Sequence, residues 1–159
     1  MYKLRDSRAV RCAELSSLDG DVHSFTLRPM PNDELDQFAG LTVFHYPSCS
    51  TCRKARAWLH SHKFDAEWIH IVDSPPGVET LARALATSGE KISRFFNTSG
   101  RSYRDGNFGE RRKTMDERAC LEALSSDGKL IRRPLVVWDG GALVGFNAER
   151  WLETLVNEQ

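Results

Sequence analysis

Long apolar runs are missing from this sequence of 159 residues. No stretch approaches the roughly 18 consecutive apolar residues of a membrane-spanning helix, and no signal-peptide core follows Met1. The expectation is a cytoplasmic protein with no membrane partner. Net charge is missing too: 22 basic residues balance 22 acidic ones. No bulk attraction therefore draws the chain to nucleic acid, and no direct nucleic-acid partner is expected. Cysteine is scarce, with four residues at irregular spacing, which excludes the framework of a small secreted disulfide protein. Internal repeats and low-complexity tracts are absent as well.

What remains fits one domain with a real core, given 40% hydrophobic content. Residues 1–38 stand apart as polar and weakly periodic. They hold a linker-like Arg28-Pro-Met-Pro-Asn32, a short strand candidate at His23–Leu27 and one helical turn at 33–38. They read as an N-terminal extension to a domain at 39–159, not as a second domain. The basic residues Arg101, Arg104, Arg111, Arg112 and Lys113 read as a basic loop, for which a solvated connection is the plain explanation.

The most informative stretch is Pro47-Ser-Cys-Ser-Thr-Cys-Arg-Lys54. It follows the apolar run Leu41–Tyr46, which reads as a buried strand, and precedes a run with Ala55, Trp58, Leu59 and His62 at helical spacing. A strand feeding a helix through a short turn leaves Cys49 at the helix entrance. There the first-turn N–H groups are unpaired and the positive end of the dipole is exposed. That position favours the thiolate, the reactive form of cysteine. Cys52 lies one turn on, within reach of a disulfide.

Two buried structural cysteines, a zinc site and a redox or nucleophilic pair are the competing readings of Cys49 and Cys52. Zinc needs four ligands, and neither the isolated Cys12 and Cys120 nor the histidines at 45, 60, 62 and 70 offer a matching second pair. No metal is expected. A Cys-x-x-Cys at a strand-to-helix turn leads to the redox reading. Cys120 falls on the apolar face of a helix and reads as core, while Cys12 stays open between an inert and an additional thiol.

Downstream, Glu67–Val72 reads as a second strand. Ser74-Pro75-Pro76 opens a helix with Val78, Leu81, Ala82, Leu85 and Ala86, closed by Gly89. Residues 91–128 read as helical and loopy, with Phe95-Phe96 as an anchor and Asn97–Gly109 as a polar loop. A capping box of Thr114 and Glu117 stands before Met115, Ala119, Cys120, Ala123 and Leu124. Leu135–Trp138 and Leu143–Phe146 read as a hairpin through Asp139-Gly140-Gly141. A last helix from Asn147 buries Trp151, Leu152, Leu155 and Val156. The order βαβα, a helical insert at about 90–128, then ββα is an α/β, thioredoxin-like plan with a mixed sheet. In such folds the proline of Arg133-Pro134 is cis and faces the cysteine turn. Arg133 then supplies a cation for an oxyanion or thiolate, or is a surface arginine beside Arg132.

With these residues in hand, the chain from about 41 to 156 resembles the ArsC/Spx family of arsenate reductase-like proteins. Tyr46-Pro-Ser-Cys-Ser-Thr-Cys-Arg-Lys-Ala-Arg-Ala-Trp-Leu59 looks like the Spx-type opening. Leu130 to Val137 looks like the Arg-Pro segment, and Val144-Gly-Phe-Asn147 like the closing turn. Phe95 to Arg104 is similar to a branch labelled arsenate reductase family protein. The resemblance implies a thioredoxin fold with an inserted helical subdomain and a nucleophile at Cys49, which in arsenate reductases attacks arsenic. It implies an oxyanion-binding arginine at Arg133, with Pro134, Ser50, Thr51 and Asn97 completing the substrate site.

Two further oxyanion arginines of the family fall on Asn97 and around Phe146, so two of three cations are replaced, with Arg101 or Arg104 as candidates to compensate. Each lost charge-assisted hydrogen bond weakens oxyanion binding by about 1.5–3 kcal/mol. Cys52 offers an internal resolving thiol. The implied reductant is glutathione, glutaredoxin or thioredoxin, with no tightly bound cofactor. A second implication, from the Spx side, is a regulator that binds the C-terminal domain of the RNA polymerase α-subunit, with the cysteine pair as its redox switch.

Overall fold

The computed structural model describes residues 40–157. The sequence-based expectations for residues 1–38, and Cys12 with them, lie outside the described residues. Four strands form one mixed sheet: β1 (Leu41–His45), β2 (Ala66–His70), β3 (Leu135–Trp138) and β4 (Gly141–Val144), in the order β2-β1-β3-β4. β1 and β2 are parallel, in register from Leu41 opposite Ala66 to His45 opposite His70. Their crossover is helix α1 (Ser50–Ser61), because a parallel pair needs a long connection and cannot be closed by a tight turn. β3 runs antiparallel to β1, with Phe44 opposite Leu135, and β4 folds back on β3.

The period-two alternation of the strands sorts their side chains into two cores, one on each face. Leu41, Val43, Val136 and Leu143 point to a core shared with Ala55 and Leu59 of α1 and with Trp151 and Leu155 near the C-terminus. Phe44, Leu135 and Ala142 point the other way. They meet Leu81 and Ala84 of α2 (Val78–Ser88) and the buried Phe95, Phe96, Leu121 and Leu124. Each large side chain sealed there contributes about 1.5–3 kcal/mol of burial. Helices therefore flank both faces of a thioredoxin-like sheet, as the element order predicted.

The chain between α2 and β3 corrects several expectations. The stretch expected as a polar loop holds α4 (Arg101–Asp105) and α5 (Phe108–Arg111), after a single turn α3 (Ile92–Phe95). Asn107 breaks the chain between α4 and α5 with a left-handed φ of 50°. It thereby turns Phe108 inward, 5.7 Å from the Phe96 ring and 6.1 Å from Tyr103. Arg101 and Arg104 sit on α4, Arg111 ends α5, and Arg112 and Lys113 follow in the turn; the Arg111 guanidinium lies 4.5 Å from the Phe108 ring and Lys113 pairs with Glu110. The capping box is not formed. Helix α6 (Glu117–Ser126) is capped by Asp116, whose carboxylate accepts from the Ala119 N–H at 2.7 Å, while Thr114 Oγ1 donates to the Arg111 carbonyl.

Smaller differences follow from packing. On α2 the second buried residue is Ala84, and Ala86 is exposed. β2 ends at His70 and β4 at Val144, each two residues short of the expected end. The last helix, α7 (Ala148–Leu152), begins as expected at Asn147, whose Oδ1 accepts from the Arg150 N–H at 2.8 Å. It buries Trp151 but leaves Leu152 39% exposed. Cys120 is core, at 1% exposure. No helix among the described residues is long and apolar enough to cross a membrane.

Candidate active site

Tyr46 leaves the C-terminal end of β1, and three residues later the chain enters α1. Cys49 is the N-cap, in extended conformation (φ −84°, ψ 117°). Ser, Thr, Asp and Asn usually fill that position because their side-chain oxygen accepts a first-turn N–H. Here sulfur takes the role, with the Cys52 N–H 3.4 Å from Cys49 Sγ. No acidic residue occupies the first turn of α1, so nothing local offsets the positive end of the helix dipole.

Burial pushes the Cys49 thiol up. It is outweighed by the N–H groups of Cys52 and Thr51, by the Cys52 thiol as donor and by the Arg133 guanidinium, so that Cys49 ionises below its ordinary value. Cys52 is the reverse. Burial pushes it up to about 11, against the pull of the Tyr46 backbone and a weaker one from Arg133, while the neighbouring Cys49 sulfur reinforces the rise. The two thiols are therefore pushed apart: Cys49 ionises before Cys52, which keeps its proton to about pH 11. Both cysteines are free, and Cys52 is buried at 3% exposure while Cys49 reaches the surface.

Arg133 arrives from the start of β3. Because β3 is antiparallel to β1, its first residues stand beside the last residues of β1, which is why the Arg-Pro segment and the cysteine turn meet. The Arg133-Pro134 peptide is cis, as the sequence led us to expect. The Arg133 guanidinium lies over the Tyr46 ring, 5.2 Å from its centroid. The Tyr46 backbone also bears on both cysteines: its carbonyl accepts the Cys49 N–H at 3.0 Å, and it pulls the Cys52 thiol down against burial.

In front of Cys49 opens a cleft of about 360 Å³ lined by Thr51, Phe96, Asn97, Thr98, Ser99, Arg132, Arg133, Gly145 and Phe146. Of the residues singled out from sequence, Cys49, Thr51, Asn97 and Arg133 line it together. Ser50 is exposed on the first turn of α1, and Pro134 is buried behind the wall. Arg101 and Arg104, the suggested compensating cations, sit on α4 and do not line this cleft. Asn97 directs its Nδ2 to the Lys129 carbonyl at 3.3 Å.

The cation that does line the cleft beside Arg133 is its neighbour Arg132, along with Thr98 and Ser99, none of which the sequence had marked. A short two-stranded contact places them: Phe96 bridges Ile131, the Asn97 N–H donates to the Leu130 carbonyl at 2.7 Å, and the Arg132 N–H to the Phe95 carbonyl at 2.7 Å. This clamps the start of the helical insert against the Arg-Arg-Pro segment. The signal available in advance was the pairing of two apolar doublets, Phe95-Phe96 and Leu130-Ile131, separated by about 35 residues.

Residues 44–154 match the ArsC family profile. The chain belongs to the ArsC family. One ArsC-type relative is YusI, an uncharacterised protein of Bacillus subtilis. It is 43% identical over 113 residues, covering 71% of this chain and 96% of YusI. The global transcriptional regulator Spx of Enterococcus faecalis is 30% identical over 112 residues, covering 69% and 78%. Among solved ArsC-like structures, a Bacteroides fragilis protein described as related to the ArsC family superimposes with a TM-score of 0.69. The identity is 39%, over 71% of this chain and 95% of that one. An arsenate reductase from Vibrio cholerae superimposes with a TM-score of 0.64 at 28% identity, over 72% and 96%.

Proposed function

We propose that the protein is a thiol-dependent oxidoreductase of the arsenate reductase-like type, working in the cytoplasm. Residues 39–159 form its working domain and residues 1–38 an extension. The observation that carries the reading is the pair at the start of α1: Cys49 is the N-cap with its sulfur 3.4 Å from the Cys52 N–H, and the surroundings favour its ionisation while burial disfavours that of Cys52. In the first step the Cys49 thiolate attacks one sulfur of a disulfide or mixed disulfide. A bond forms from Cys49 Sγ to that sulfur, the old S–S bond breaks, and the other half leaves as a thiolate that takes a proton from solvent.

The second step needs Cys52 to lose its proton. Two of the influences that hold this proton, the hydrogen bond to the Cys49 thiolate and its negative charge, vanish once Cys49 is in covalent linkage. The Cys52 thiolate then attacks Cys49 Sγ and expels the bound half, leaving a Cys49–Cys52 disulfide and a fully reduced substrate. Glutathione, glutaredoxin or thioredoxin supplies the two electrons that restore the dithiol. Arg133, with the N–H groups of the first turn, stabilises the anion, and Thr51 and Asn97 line the substrate site beside it, with Pro134 buried behind its wall and Ser50 outside it. No metal or tightly bound cofactor takes part.

Turnover of a disulfide or of arsenate by the full chain tests the reading. Cys49→Ser abolishes turnover, whereas Cys52→Ser stops at a mixed disulfide on Cys49 that mass spectrometry detects. Turnover by Cys49→Ser at the rate of the unaltered protein ends the proposal. The similarity to Spx favours a second reading, in which the Cys49–Cys52 disulfide switches a surface for the C-terminal domain of the RNA polymerase α-subunit. Retention of that purified domain in only one redox state supports the second reading, and no retention in either removes it.

A further inference from the structure

Three residues of the cleft before Cys49, Arg132, Gly145 and Phe146, also line a second hollow of about 370 Å³ against α7, where Arg94, Arg150, Glu149 and Glu153 stand too. The three arginines of this hollow are not equivalent. Arg150 pairs with Glu90 and donates to the Ser88 carbonyl, and Arg94 lies 3.7 Å from the same Glu90. Their charge is met inside the chain. Arg132 has no ion pair among the described residues, although it is the arginine common to both hollows.

Its placement depends on Gly145. The backbone there has φ +75°, and a Cβ would come within 2.9 Å of Arg132 Nε. Glycine is therefore what lets the Arg132 side chain lie where it lines both hollows. Gly145 is fixed in turn by its N–H to the Pro134 carbonyl at 2.8 Å and by the Trp151 indole donating to its carbonyl at 3.1 Å. A half-buried guanidinium without an acid partner, held by packing beside a nucleophile, is a binding group for an anion.

We propose that Arg132 is a specificity-determining residue that selects, for attack by Cys49, disulfides carrying a carboxylate close to the sulfur. The substrate class is the mixed disulfides of amino-acid-derived thiols. The sulfur arm occupies the cleft at Cys49, and the carboxylate lies against Arg132 at the mouth of the second hollow. The chemistry is the exchange already described, with Cys49 Sγ bonded to the near sulfur and the far half released as thiolate, so this inference rests on the proposed thiol function.

The test measures the first step on the full, reduced chain by quenching and mass analysis of the Cys49 peptide. The probes are 3,3′-dithiodipropionate, bis(2-hydroxyethyl) disulfide and cystamine (anionic, neutral and cationic). Each rate is divided by that of the same disulfide with free 2-mercaptoethanol, which removes leaving-group differences. The expected order is anionic over neutral over cationic. Arg132→Met lowers the anionic-to-neutral ratio roughly tenfold, the size of one half-exposed charge-assisted contact, and Arg132→Lys restores most of it. Raising the salt narrows the ratio in the unaltered protein. An unchanged ratio in Arg132→Met overturns the inference, as does an equal fall with all three probes, which marks a merely structural residue. If Cys49 of the unaltered protein outpaces the free thiol with none of the probes, the thiol function itself fails. Fast reaction with a ratio indifferent to residue 132 sinks this inference alone.

Discussion

Gly128→Ala is the substitution for which the structure supplies the sharpest number. Gly128 is buried at the start of a single 3-10 turn, Gly128–Leu130, between α6 and the Arg-Arg-Pro segment. A Cβ built there would fall 1.8 Å from the Ile71 carbonyl oxygen and 2.7 Å from its carbon. Real contacts of this kind stay beyond 3.0 Å, so the backbone must part by about 1.2 Å. Both walls are stiff: the obstacle is main chain, no rotamer change relieves it, and Ile71 is fully buried with its N–H bonded to the His45 carbonyl at 2.9 Å. Overpacking of flexible side chains costs about 1–3 kcal/mol. Collision with backbone belongs at or above that range, and we expect a loss of roughly 3–5 kcal/mol, a large share of the 5–15 kcal/mol typical of a domain.

Gly109→Ala is the control. Its Cβ meets nothing within 4 Å and its φ is not left-handed, so the lower entropy of the unfolded chain stabilises the protein by about 0.4–1 kcal/mol. Urea unfolding followed by tryptophan fluorescence reads both. A Gly128→Ala loss below about 1 kcal/mol would refute the packing argument. The displacement also reaches function, because Leu130 and Arg132 of the same segment hold Asn97 and the Phe95 carbonyl, and the cleft loosens with the fold.

Two further outcomes are expected. Cys52 keeps its proton in the folded protein up to about pH 11 but loses it near 8.5 when unfolded. Between those values the folded state binds more protons, so stability falls as pH rises from about 8.5 to 11, by roughly 3 kcal/mol at most, and is fully present below. Guanidinium unfolding of the unaltered protein and Cys52→Ser across pH 8–11 isolates this contribution; parallel curves would contradict it. Tyr46→Leu removes the ring beneath Arg133 and slows iodoacetamide reaction of Cys49 at pH 7 about two- to fivefold, the worth of an exposed cation–π contact. Tyr46→Phe keeps the ring and the rate, and equal slowing in both variants would contradict the role given to the ring.

The site was legible where its logic is local. A strand, a turn, two thiols three apart and an amphipathic run fix Cys49 at a helix N-cap without reference to the rest of the chain. Arg133 was legible because its neighbouring proline marks the spot where the sheet brings β3 beside β1. Arg132 escaped notice because adjacent side chains on an extended strand point to opposite sides. Here the segment is clamped to Phe95 and Phe96 outside the sheet, and both arginines reach the same cleft. The helices α4 and α5 were missed for another reason: at five and four residues they are too short to display a period. They are held by the burial of Phe108 and not by propensity. For α6, the expected cap Thr114 stands too early, and Asp116, directly before the helix, takes the position.

Tyr46 gives the dithiol a property that a loop-borne site lacks. One residue, leaving an interior strand, meets the amide of Cys49 with its carbonyl and the guanidinium with its ring, and its backbone lowers the pKa of Cys52. The placement of Cys49 and Arg133 is thereby inherited from the middle of the sheet. Insertions or sequence drift in the segment between α2 and β3 can reshape the cleft while the thiols and the guanidinium keep their places. Under the proposed function, substrate range and redox chemistry are separately adjustable in this architecture.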